Sequence, residues 1–139
     1  GKAAVNPQRR AMGHLLGNAV RLTSQDDILV VGEGIETMLS LSEAASGLPV
    51  WAALSSGHLG AVQLPEGLQR LYIAIDRDPA GQRAAERLSA RALDAGIAVL
   101  VLEPRLGDFN DDLRASGKDA LRQHLAGQIG PEDRQRLLG

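Results

Sequence analysis

The spacing of apolar residues changes period several times along the chain. Residues 26–32, Asp-Asp-Ile-Leu-Val-Val-Gly, hold a short unbroken apolar run, the pattern of a strand covered on both faces. From Ile35 to Ala45 the apolar positions 35, 38, 39, 41 and 45 roughly share one helical face, and Gly47 ends it. Residues 49–54 read as a second strand, closing in Ser55-Ser56-Gly57. A third strand is expected at 68–76, bounded upstream by Pro65 and Gly67, and a fourth at 97–102. Between them lies an Ala/Arg/Leu/Glu helix at 80–95 with Gly96 as its stop. A short helix is expected around 118–126, and Gly130-Pro131-Glu132 opens a last one with proline at the first helical position. Upstream, residues 1–11 form a polar, basic lead-in, and 14–22 place two apolar pieces around Gly17-Asn18, a hairpin signal.

Strand and helix alternate, and the strands are apolar throughout. That order predicts a single α/β domain with a parallel sheet and helices on both faces. At 139 residues there is room for one real core. Aromatics are 2% of the chain (Trp51, Tyr72, Phe109), so the core must be built from Leu, Val, Ile and Ala, and a base-stacking platform is disfavoured. With no cysteine, disulfides and thiolate-bound zinc are excluded. No run approaches the ~20 apolar residues of a membrane span, and no signal peptide is visible, which points to the cytoplasm. Net charge is only −2, so a nucleic-acid partner must be met by a local basic patch or by another domain. The opening Gly1-Lys2-Ala3 suggests a fragment of something longer.

Glu33 stands between Gly32 and Gly34 where the first strand meets its helix. A dinucleotide fingerprint wants a third glycine at position 37, which is Thr37, and a glutamate there would repel a pyrophosphate. The carboxylate therefore needs another job. Ligands of open parallel sheets bind beyond the carboxyl ends of the strands, and three predicted strand ends carry acids: Glu33, then Asp76 and Asp78, then Asp108, Asp111 and Asp112. Clustered carboxylates repel unless a proton or cation intervenes. Magnesium suits such a set, taking a few carboxylates and leaving places for water and substrate phosphates. The flanking glycines would let the chain turn tightly and admit a phosphate beside Glu33. Each acid also has a plainer reading. Asp78 before Pro79 is a good helix cap, and Asp108 to Asp112 reads as a solvated acidic loop.

Arg83, Arg87 and Arg91 recur every four residues beside the apolar stripe Ala84, Leu88, Ala92, a track for a phosphate backbone or a solvated face paired with Glu86 and Asp94. His58 follows the second strand on the same rim, as an exposed loop residue or a nucleotide contact. Arg9 and Arg10 are a weaker basic candidate, and His14 and His124 carry no assignment. Glu36, in the first helical turn, suits the helix dipole or lines the site from behind Glu33.

The ordered set "GEGIETMLSL", "AIDRDPAGQRAAERL" and "GDFNDDL" resembles the Toprim domain shared by bacterial-type primases, type IA and type II topoisomerases, OLD-family nucleases and RecR-type proteins. It looks most like the Toprim domains of primases and primase-helicases borne by plasmids and phages, and the likeness runs over roughly residues 9–114. It implies a Rossmann-like α/β fold of flavodoxin-like order, with a mostly parallel four-stranded sheet behind a small N-terminal hairpin. Residues 1–25 would be the lead-in and hairpin, 26–128 the Toprim domain and 129–139 a C-terminal helix or tail.

By the same resemblance, Glu33, Asp76 and Asp78 are the catalytic and metal-binding acids, Asp108 is a further metal position, and Mg²⁺, with Mn²⁺ as substitute, is the cofactor. The implied activity is nucleotidyl transfer on a DNA template with nucleoside triphosphates, alongside other domains of a longer primase. Relatives often carry a lysine before the last acidic motif, where this chain has Gly107; Arg105 is the nearest cation. A nuclease, a topoisomerase-like strand cleaver and a non-catalytic DNA- or partner-binding module are the alternatives. Tyr72, the single tyrosine, lies inside a predicted strand and reads as core.

Overall fold

The computed structural model describes residues 20–21 and 27–138. The lead-in, the Gly17-Asn18 turn, Arg9, Arg10 and His14 lie outside the described residues. The elements are β1 (Val20–Arg21), β2 (Ile28–Gly32), α1 (Ile35–Ala44), β3 (Val50–Ala52), α2 (Ser56–Ala61), β4 (Arg70–Ala74), α3 (Pro79–Asp94), β5 (Ala98–Leu102), α4 (Phe109–Gln128) and α5 (Pro131–Leu138). They form one sheet in the order β1-β3-β2-β4-β5. Pairs β2–β3, β2–β4 and β4–β5 are parallel, as expected. Val20 and Arg21, in the second arm of the expected hairpin, add a fifth strand antiparallel to β3, a pairing with the main sheet that the pattern did not predict.

Alternation along each strand sends side chains to two separate apolar layers. Val30, Val50, Ala52, Tyr72, Ala74 and Leu102 face α1 and α4, where Met38, Leu41, Phe109, Leu121 and Leu125 are buried. Leu29, Val31, Trp51, Leu71 and Ile73 face α2 and α3, meeting Leu59, Ala84, Leu88 and Ala92. Both faces of β2 and β4 are thus covered, which is why their sequences read as continuous apolar runs. Strand β5 is a sheet edge, and Val101 is 42% exposed there.

Element ends follow local chemistry. Helix α3 stops where Gly96 adopts φ 81°, and Ile97 N–H bonds back to Ala92 O in a Schellman-type closure. Helix α4 begins nine residues earlier than the 118 expected, at Phe109, and bends at Gly117 (φ 88°, ψ 173°). The acidic stretch is therefore its first turn rather than a free loop. Helix α5 is riveted to the sheet. Buried Asp133 accepts from Arg70 Nε (2.6 Å), Arg70 Nη2 (2.5 Å) and the Tyr72 hydroxyl (2.6 Å), and that hydroxyl accepts from Gly130 N–H (3.1 Å). Tyr72 is a core residue as predicted, with its phenol pushed up to about 12 by burial and by the Asp133 hydrogen bond.

Candidate metal centre

Strand order reverses between β2 and β4: from β2 the chain goes out to β3, and then returns across the sheet to β4. Paired register sets Gly32 opposite Ala74, so the residues just beyond, Glu33 and Asp76, leave the sheet side by side at this switch point. One oxygen from each of Glu33, Asp76 and Asp78 lies within 4.8 Å of the others. Octahedral magnesium with ~2.1 Å bonds holds opposite oxygens ~4.2 Å apart, so small side-chain shifts bring this trio around one ion.

Glu33 is placed by its backbone on both sides. Its carbonyl accepts from Leu54 N–H (2.5 Å), and Gly32 O accepts from Ala53 N–H (2.8 Å), extending the β2–β3 ladder to the rim. Leu54 reaches this bond with φ 79°, an uncommon conformation for a non-glycine residue. Neither glycine has positive φ, and the two do different work. A Cβ on Gly32 would lie 2.5 Å from Met38 Sδ and 3.0 Å from Ala74 O, so this glycine permits close packing with β4 and α1. A Cβ on Gly34 would meet only Thr37 Oγ1 at 3.7 Å, leaving open space beside the carboxylate.

Asp78 caps α3, its Oδ1 accepting from Gly81 N–H at 2.6 Å with Pro79 at the first helical position. A Cβ at position 81 would crowd that carboxylate at 3.2 Å, which accounts for the glycine there. The cap and metal readings of Asp78 are compatible, because one oxygen caps while the other remains. Asp108 likewise caps α4 through Asp111 N–H (2.8 Å) and stands outside the converging trio, near enough that its charge raises the Asp76 pKa.

The electrostatics report an acid cluster without a counter-charge. Asp76 is pushed up to about 6, by burial first and then by Glu33, Asp108, Asp78 and Asp111. Glu33 is raised by burial and by Asp78. Buried oxygens Glu33 Oε1 and Asp76 Oδ1 have no hydrogen-bond partner among the described residues, whereas buried polar atoms are ordinarily satisfied. Orphaned, converging, hard oxygen donors fit a divalent cation.

Two residues shape the rim in ways the sequence did not show. Buried Asp112 accepts from Arg105 N–H (2.7 Å) and Leu106 N–H (2.8 Å), curling the β5–α4 loop. Arg77 crosses from the β4–α3 loop to the Pro104 carbonyl. The arginine stripe of α3 divides. Arg91 bonds Gly60 O (2.7 Å) and Val62 O (2.9 Å) at the end of α2, and the Arg87 guanidinium lies over Gly60, so both pack α3 onto α2. Arg83 is exposed. His58 sits in α2, its backbone N–H bonded to Ser55 Oγ (3.0 Å) and its Nδ1 buried without a partner. Glu36 is exposed in the first turn of α1.

The fold is similar to the crystal structure of the Aquifex aeolicus primase zinc-binding and RNA polymerase domains, at 25% identity and a TM-score of 0.55, over 74% of this chain and 26% of that one. It is also similar to the primase fragment of the bacteriophage T7 primase-helicase protein, at 21% identity and a TM-score of 0.59, over 78% of this chain and 46% of that one. The chain thus spans a minor part of each of these structures. No curated protein matches the sequence. The family model described as the Toprim domain matches residues 28–119, most of the chain and all of the acidic rim. The chain belongs to the Toprim domain family.

Proposed function

We propose that Glu33, Asp76 and Asp78 hold a divalent cation, Mg²⁺ with Mn²⁺ as substitute, and that the domain is the nucleotidyl-transfer centre of a DNA primase of plasmid or phage type. The observation that carries the metal reading is the pair of buried, partnerless oxygens, Glu33 Oε1 and Asp76 Oδ1, facing a third carboxylate. The primase reading is supported by family membership together with fold neighbours that are primases. When bound, the ion supplies charge neutralisation at a triphosphate and its leaving group.

The chain's own groups divide the work. Asp76 carries a proton below about pH 6 and must release it to become a ligand. In the alternative role, Glu33, raised by burial and by Asp78, takes the proton of an attacking hydroxyl instead of holding the ion. Asp108 adds negative charge from the next loop, and exposed Arg83 with His58 is offered to a nucleic-acid strand passing the rim. Template, nucleoside triphosphates and the other domains of a longer primase or primase-helicase chain complete the reaction. Tyr72 is buried and hydrogen-bonded, so it is not a strand-cleaving nucleophile.

Mn²⁺ titration followed by amide NMR tests the centre, comparing the native chain with a Glu33→Gln/Asp76→Asn variant. Broadening confined to residues 33–36 and 76–81, and lost in the variant, is expected. Absence of localised broadening at millimolar Mn²⁺ would refute an autonomous metal site.

A further inference from the structure

Arg77 stands between the two aspartates of the second acidic motif, yet the charges that shift Asp76 are all carboxylates. The guanidinium is turned away from them. Its Nε (3.1 Å) and Nη2 (2.5 Å) fork onto one neutral acceptor, the carbonyl of Pro104 in the β5–α4 loop. The Arg77 backbone N–H donates to Gly107 O at 2.9 Å, one residue before Asp108. The last ladder bond between the two chains is Ile75 N–H to Leu102 O. Beyond it, the hydrogen bonds joining the two acidic loops, among the described residues, all come from Arg77. The far loop is stiff on its own account: Asp112 holds its Arg105 and Leu106 amides, and the Gln128 side chain bonds both Glu103 N–H and Glu103 O. Two ties therefore cross between the loops, the Arg77 backbone bond to Gly107 O and the side-chain fork to Pro104 O, and the fork is the one a substitution can remove.

We propose that Arg77 is a positioning residue whose forked bond to Pro104 straps the Asp108 loop against the Asp76–Asp78 loop and fixes the geometry in which these acids meet a cation. The inference rests on the metal reading above. It has a sign that charge alone would not give. An arginine among carboxylates disfavours cation binding, so removing it should tighten the ion if electrostatics were its whole effect. If the strap dominates, removing it weakens the ion.

The test is Mn²⁺ affinity of the whole chain for wild type, Arg77→Met and Arg77→Lys, with hydrogen exchange of the residue 77 amide in the metal-free proteins. Arg77→Met keeps the apolar stem and loses the donors. It is expected to bind Mn²⁺ about tenfold more weakly, as when residues that orient metal ligands are removed, with Arg77→Lys in between. The residue 77 amide is expected to exchange about tenfold faster in Arg77→Met as the loops separate. Equal or tighter Mn²⁺ binding by Arg77→Met, or unchanged exchange at residue 77, overturns the proposal. If wild type itself shows no localised Mn²⁺ site, the metal reading falls, and exchange at residue 77 in the metal-free chain alone decides whether the strap exists.

Discussion

Neutralising Asp76 should make the metal-free protein more stable at neutral pH, with the gain shrinking through mild acid and vanishing only below pH 3.8. Asp76 has a folded pKa of about 6 against an ordinary 3.8, because burial and the neighbouring carboxylates penalise its ionised form. For a carboxyl raised on folding, the stabilising contribution is present in full below 3.8 and is lost as pH rises through about 6. A shift of about two units corresponds to at most ~3 kcal/mol, and partial access to solvent lowers the expectation to ~1–3 kcal/mol. Asp76→Asn keeps the shape without the charge. In EDTA at pH 7.5 it should melt higher than wild type by roughly 4–10 °C, taking about 3–4 °C per kcal/mol for a chain of this size. At pH 4.5, still above the unfolded value of 3.8, the gap should shrink to about a third, and it should nearly close only below 3.8. Titrating groups not coupled to Asp76 are common to both proteins and cancel in the comparison, while relief of Glu33, Asp78, Asp108 and Asp111 adds to the gain with the same sign. Millimolar Mg²⁺ at pH 7.5 should raise the wild type and not the variant. The reasoning is refuted if Asp76→Asn is less stable than wild type at pH 7.5, or if the gap is the same at both pH values.

Asp133→Ala should cost about 3 kcal/mol in urea unfolding, since it strips a buried partner from both Arg70 and Tyr72; a loss under 1 kcal/mol would show that α5 is not anchored by this carboxylate. Burial raises the Asp133 pKa, but hydrogen bonds from Arg70 and Tyr72 outweigh it and leave the group lowered, so its contribution stands above pH 3.8 and fades only as pH falls below that value. Gly32→Ala should destabilise by roughly 1–3 kcal/mol, because Met38 Sδ can move aside but the Ala74 carbonyl at 3.0 Å belongs to the sheet. It should also weaken Mn²⁺ binding by separating β2 from β4, and a variant with native stability and affinity would contradict that account.

Much of this was legible in the sequence because burial on both faces writes an unbroken apolar run. Strands β2, β4 and β5 and helix α3 fell where the pattern put them. The acids at strand ends were legible for the same reason, since a parallel sheet delivers successive strand ends to one rim. What escaped was set by tertiary context. Helix α2 has six residues and two glycines, too short for a helical period, and only Ser55 three residues before His58 hints at its cap. The first half of α4 hid behind its acidity: Asp108 and Asp111 form the cap, and Asp112 is buried because two loop amides pay for its desolvation. The spacing of Arg83, Arg87 and Arg91 was readable, but not that α2 would lie under the last two. Gly32 was read as turn chemistry, and its real constraint, a neighbouring strand and a methionine, is invisible along the chain.

The Arg70–Tyr72–Asp133 rivet has a consequence for dividing the chain. The family pattern ends at residue 119, yet a central strand relies on a carboxylate fourteen positions later. Strand β4 starts at the rivet and ends at Ala74, two residues before Asp76, so the segment that looks like a trailing appendage secures the foot of the strand that leads into the acid pair. A fragment cut where the pattern stops would keep every acidic motif and leave that strand's tyrosine and arginine with nothing to hold. The recognisable module is shorter than the stretch of chain that hydrogen-bonds its central strand, and grafting only that module into another scaffold would leave the strand's foot unpartnered.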